Sequence, residues 1–189
     1  MRGLVGTEKI MSQESSDRSA GETSRAGSRT PVIRVFDCHV ARETTGGYEY
    51  LLLKRASQKI YANTWRMVGG KLEASETAWQ ACLRELAEET RLPVARLLCV
   101  PYVNRFYEWR HDRINDIPVF VAITERGANP ILDEEHSDFA WLDLDAAITR
   151  LPWPGQCEGL RAADALLCRG HVLQEVMEVS ISRKSPGER

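Results

Sequence analysis

No apolar run in this 189-residue chain approaches the roughly 18 residues that a bilayer crossing needs. Residues 1–11 also lack the long apolar core of a secretion signal. An excess of either charge is lacking: a formal net charge of −2 gives no general attraction to nucleic acid or to an anionic membrane. The five cysteines (Cys38, Cys82, Cys99, Cys157 and Cys168) form no CxxC pair. The four histidines (His39, His111, His136 and His171) form neither HxxxH nor HExxH. These absences argue against a disulfide framework and a zinc centre, and the thiols read as reduced side chains of a cytoplasmic protein. No internal repeat is visible.

What is present is ordinary for one globular domain with excess at its ends: 43% hydrophobic and 28% charged residues. Residues 1–29 are rich in Ser, Gly, Arg, Glu and Thr and nearly empty of large apolar side chains, which predicts a disordered tail. Met11 is an alternative start within it. Residues 183–189 read as a frayed end, leaving residues 30–182 for the folded domain. Within it, the β-branched alternation of residues 31–42 predicts a strand, Thr44-Thr45-Gly46-Gly47 a turn, and residues 48–54 the returning strand. Residues 55–64 read as loop, and Lys54 and Arg55 as a solvated strand end. Further strands are expected over residues 65–68, 93–109, 114–124 and 139–142, and helices over 76–90, 158–169 and 171–179, with Gly170 as a break. Strands with few intervening helices imply an α+β fold with a mixed sheet.

The helix over residues 76–90 carries the chemistry. Thr77 with Gln80 three residues on matches a capping box. Trp79, Cys82, Leu83, Leu86 and Thr90 share its core face, and Glu85, Glu88 and Glu89 share another. Three neighbouring carboxylates repel one another. They form either a solvated acidic face, with Arg84 and Arg91 as counterions, or a site for a hard divalent cation, which takes oxygen ligands and keeps waters that phosphates can replace. Upstream, the paired Gly69 and Gly70 let a phosphate or a metal approach the main chain.

From Gly70 the chain continues KLEAS, Glu76, TAWQACL, Arg84, Glu85, Leu86, Ala87, Glu88, Glu89, Thr90, Arg91, Leu92. This resembles the Nudix box, G-x5-E-x7-R-E-U-x-E-E-x-G-U, at every fixed position but one: Arg91 stands where the family has Gly. A left-handed helix end kept there costs Arg about 1 kcal/mol. The resemblance extends over residues 31–179 and implies a Nudix fold, a mixed sheet sandwiched between helices. It also implies an enzyme cutting a phosphoanhydride in a nucleoside diphosphate derivative, with Mg²⁺ (or Mn²⁺) as cofactor. It assigns Glu88 and Glu89 to the metal, aided by the carbonyl of Gly69 or Gly70. Glu85 is assigned to the metal or to general-base work, and Glu76 and Arg84 to an ion pair holding loop to helix. Glu135, in the acidic loop before a late strand, is expected to add a further carboxylate. The partner implied is a small-molecule nucleotide, with no stable nucleic-acid complex and no membrane; family members are often homodimers, but no seam is readable.

Substrate-facing expectations are Arg105 toward phosphate, Tyr107 toward a base, and Trp153 at the border of the base pocket. The W-x-x-V-x-G and E-H-x-x-F-x-W-L patterns look similar to the branch that cleaves dihydroneopterin triphosphate and nucleoside triphosphates. That makes a (d)NTP-like triphosphate, releasing pyrophosphate, the leading expectation. A pyrophosphatase of ADP-ribose, a dinucleotide or a coenzyme is the second, and a catalytically silent nucleotide-binding regulatory module the third.

Overall fold

The computed structural model describes residues 33–169 and 171–181. The expected tails, Met11 as an alternative start, and the Gly170 break therefore lie outside the described residues. Strand β1 (Val35–Thr44) turns through Thr45-Gly46 into β2 (Gly47–Arg55). After a loop come β3 (Trp65–Arg66), β4 (Val68–Lys71) and helix α1 (Ala78–Thr90). Strands β5 (Arg96–Glu108) and β6 (Arg113–Thr124) form a long hairpin closed by a 3₁₀ turn over Trp109–His111. Strand β7 (His136–Leu142) is followed by α2 (Leu144–Arg150), α3 (Pro154–Cys168) and α4 (His171–Met177).

Among the described residues the sheet has seven strands in the order β3-β2-β1-β6-β5, with β7 on β2 and β4 on β1. Of these strands β1 and β6 run parallel, and the other described pairs are antiparallel. One edge of β1 is divided: residues 40–44 pair with β2, and residues 35–38 pair with β4. The segment β3–β4 thus leaves β2, where Leu53 meets Arg66, and crosses to β1, where Asp37 meets Gly69. This crossing sets the glycine pair against helix α1.

Side-chain alternation sorts the core into two layers. Phe36, Cys38 and Val40 of β1, Leu51 and Leu53 of β2, and Phe120 and Ala122 of β6 pack with Ala81, Cys82 and Leu86 of α1. Their neighbours Ala41, Tyr50, Leu52, Val119 and Val121 face the opposite way, onto Ala147 of α2 and Leu160, Ala163 and Leu166 of α3. The result is the mixed sheet sandwiched between helices. Helix α2 was not anticipated; Asp143 starts it by accepting a hydrogen bond from the Ala146 N–H. Helix α3 starts earlier than its periodicity implied, with Pro154 at the first helical position. Among the described residues no helix is long and apolar enough to cross a membrane.

Candidate active site

Helix α1 begins where Gln80 Oε1 accepts hydrogen bonds from the Thr77 amide (2.9 Å) and hydroxyl (2.8 Å). It ends at Arg91, whose φ of 54° and ψ of 17° are left-handed, with its amide bonded back to the Ala87 carbonyl. The conformation for which the box favours Gly is therefore kept here by an arginine. Between these ends the acidic face grades from solvent to interior: Glu88 is exposed, Glu85 half-buried, and Glu89 only 5% exposed.

Arg84 organises this face. It grips Glu76 through two bonds, Nε to Oε1 and Nη2 to Oε2, both at 3.0 Å. Its Nη2 also donates to the Lys71 carbonyl, and its Nη1 reaches Glu85 at 3.0 Å and Glu88 at 3.3 Å. One guanidinium thus ties the end of β4, the loop and the helix together. Gly70 lies against Glu85: a Cβ at Gly70 would collide with the Glu85 carboxylate and stand 2.6 Å from its Cγ.

The acidic face opens into a cleft of about 1100 Å³. Asp37, Arg66, Gly69 and Gly70 line one side, Arg55, Ile60 and Tyr61 another, and Asp133, Glu134 and Glu135 a third. Glu135 is held by Arg55 (2.7 Å) and Lys59 (3.1 Å), which keep its carboxyl below the usual range. Arg55 is thus not the solvated strand end expected for it. A register shift in β2–β7 at Lys54/Arg55 brings it beside His136, next to Glu135. Asp133 Oδ1 lies 2.9 Å from the buried His136 Nδ1.

Glu89 stands out. Its Oε2 is buried with no hydrogen-bond partner. Burial pushes its pKa up to about 8; Arg66 opposes that rise, while Glu85, Asp133 and Glu135 add to it. Among the described residues no three histidine, cysteine or acidic side chains are grouped so as to enclose an ion: Arg84 engages Glu85 and Glu88, while Arg55 and Lys59 engage Glu135. The donor set nevertheless fits a hard divalent cation: its atoms are carboxylate and carbonyl oxygens, and one buried carboxylate oxygen has no partner.

The expected site residues divide into two groups. Gly69, Gly70, Glu76, Arg84, Glu85, Glu88, Glu89 and Glu135 gather at or beside this cleft. Arg105 and Tyr107 are not in its lining. They sit on the far part of the β5–β6 hairpin, where Arg105 pairs with Asp116 and the Tyr107 hydroxyl donates to Asp112 at 3.0 Å. Trp153 touches the cleft indirectly, edge-on to the rim residue Tyr61 with ring centroids 5.2 Å apart. The sequence reading gave no site role to Asp37, Ile60, Tyr61 and Arg66, and took Arg55 for a solvated strand end. Arg66 had a usable signal, since it precedes the paired glycines by three residues, but its direction depends on how β3 docks.

A family model described as the NUDIX domain matches residues 33–158, well over half of the chain. A Myxococcus xanthus protein named octanoyltransferase is 31% identical over 137 residues; the match covers 71% of this chain but only 38% of that protein. The Caenorhabditis elegans Ap4A hydrolase binary complex superposes with a TM-score of 0.61 at 22% identity, covering 72% of this chain and 98% of the other. The Escherichia coli dihydroneopterin triphosphate pyrophosphohydrolase does so with a TM-score of 0.57 at 21% identity, covering 71% and 98%. At those identities the two structures speak for the fold alone, and the family model, which matches residues 33–158, shows that the chain belongs to the NUDIX family.

Proposed function

We propose that this Nudix pyrophosphohydrolase cuts the bond between the α and β phosphates of a (d)NTP-like triphosphate, with Mg²⁺ held on the Glu85–Glu89 face. The observation that carries the reading is Glu89, a buried carboxylate with an unpartnered oxygen, placed among acidic residues where the cleft meets the glycine pair. Glu88, Glu89 and a carbonyl of Gly69 or Gly70 would hold the ion. When bound, it supplies charge neutralisation on the phosphate oxygens. Glu85 or Glu135 takes the proton of the attacking water; the water oxygen bonds to phosphorus, the anhydride bond breaks, and pyrophosphate departs. Arg84 fixes Glu76 and Glu85 and so sets where the base stands. Tyr61, braced by Trp153, offers an exposed ring for a base at the rim.

The size of the cleft favours one second reading. At about 1100 Å³ it exceeds the roughly 300–1,000 Å³ of most small-molecule sites, which suits a dinucleotide. The M. xanthus relative's name does not carry over, because the chain spans 38% of that protein's length.

A phosphate-release screen tests the reading. The protein with Mg²⁺ is given dNTPs, NTPs, dihydroneopterin triphosphate, ADP-ribose and diadenosine polyphosphates, with and without added pyrophosphatase. Release from triphosphates that requires pyrophosphatase supports the proposal. Signal on dinucleotides or ADP-ribose, after phosphatase treatment of the products, moves the substrate to the second reading. Silence across the panel with folded protein and several metals points to a binding module.

A further inference from the structure

Arg66 ends β3, and its side chain turns back over the strand that follows. Nη2 donates to the Gly69 carbonyl at 3.1 Å, and Nε donates to the Met67 carbonyl at 3.3 Å. Both bonds therefore end on the main chain. The other guanidiniums near the glutamates are engaged differently: Arg84 with Glu76 and Glu85, and Arg55 with Glu135. Arg66 is half-buried and shares the cleft wall with Gly69, Glu85 and Glu89. Gly69 is closely fitted around it, since a Cβ there would stand 3.0 Å from Nη2.

The Gly69 carbonyl is thus already occupied by a cation that belongs to the chain. A guanidinium and a divalent ion carry like charge, and one carbonyl cannot serve both at contact distance without strong repulsion. We propose that Arg66 is a tethered cation that holds the Gly69 carbonyl beside Glu89 until a divalent ion displaces it. Metal uptake is then an exchange of one cation for another. It rests on the reading that the Glu85–Glu89 face takes a divalent cation.

The test needs no substrate. Mn²⁺ is titrated into the full-length protein and free ion is followed by electron paramagnetic resonance, for wild type, Arg66→Met and Arg66→Lys. Removing the competing charge is expected to tighten Mn²⁺ binding about threefold to tenfold in Arg66→Met, with the gap narrowing as salt is raised. Arg66→Lys, which keeps the charge, is expected between the two. Equal or weaker binding by folded Arg66→Met overturns the proposal.

A second measurement covers the case in which Arg66→Met does not fold. In ¹⁵N-labelled wild type, the Arg66 Nε–H signal is expected to move during a Mg²⁺ titration with the same midpoint as the Gly70 amide. A stationary Arg66 signal while Gly70 shifts overturns the exchange. If wild type binds no divalent ion at all, the reading beneath both proposals fails, an outcome distinct from either Arg66 result.

Discussion

Glu89 concentrates the electrostatic strain of the site in one side chain. Its folded pKa, about 8, lies above the ordinary 4.5, so the ion-free protein holds a proton there that the unfolded chain gives up. The linkage follows: this contribution to stability is complete below about 4.5 and is lost as pH rises through about 8. Glu89→Gln removes both the titration and the unpaired buried charge. At pH 8 with a chelator present, the variant is expected to melt above wild type. With Mg²⁺ the order should reverse, because only wild type gains from binding. Melting curves with and without Mg²⁺ check both parts; a variant that gains as much from Mg²⁺ as wild type does would remove Glu89 from the ligand set.

At the scale of elements, the distance between β4 and α1 decides whether the carboxylates meet. Gly70 sets that distance by having no side chain where Glu85 lies. Gly70→Ala should displace Glu85, and a shift near 1 Å in a reacting group costs about 10²-fold in rate. Thermal stability should change far less, since Gly70 is half-buried at a strand end. Parallel turnover and melting measurements separate the two effects; near-normal turnover would show that Glu85 tolerates the displacement.

Helix α1 was legible because everything that defines it is local: Thr77 and Gln80 at its start, the apolar stripe through Cys82 and Leu86, and the spacing of the glutamates. The cost assigned to Arg91 was also readable, and the left-handed angles locate it. The crossing of β3–β4 from β2 to β1 was not legible, since a divided strand edge is a tertiary choice with no signature in residues 65–71. The same limit hid Arg55 and Arg66, whose directions follow from a register shift and a docking angle. Helix α2, one Asp143 cap and seven residues, is too short for periodicity to reveal.

Among the described residues the sheet carries an apolar layer on each face, and a histidine lies inside one of them. His39 is 1% exposed, its Nε2 has no partner, and burial lowers its pKa to about 3. Gly159 of α3 leaves just enough room for it, as a Cβ there would approach Nε2 to 3.3 Å. Here the folded pKa lies below the unfolded 6.5, so the unfolded chain binds the extra proton on acidification. Global stability should therefore fall by about 1.4 kcal/mol per pH unit between roughly pH 6 and pH 4 on account of this residue. Denaturant unfolding of wild type against His39→Gln at pH 7 and pH 5 isolates the effect. An unchanged difference between the two proteins at both pH values would mean that His39 is solvated before the fold opens.

The position of β1 sets a clock for isotope exchange. Its residues 37–42 are bonded to β6 on one side, and to β4 and then β2 on the other. Successive amides there alternate between the two sides, so the whole stretch is released only when both sides open, whereas β7 is laddered to β2 alone among the described strands. Peptides covering residues 37–42 should be the last to take up label, at the rate of global opening, with β7 exchanging well before them. The slowest protons among the described residues would then lie beside the strand whose Gly70 rests against Glu85.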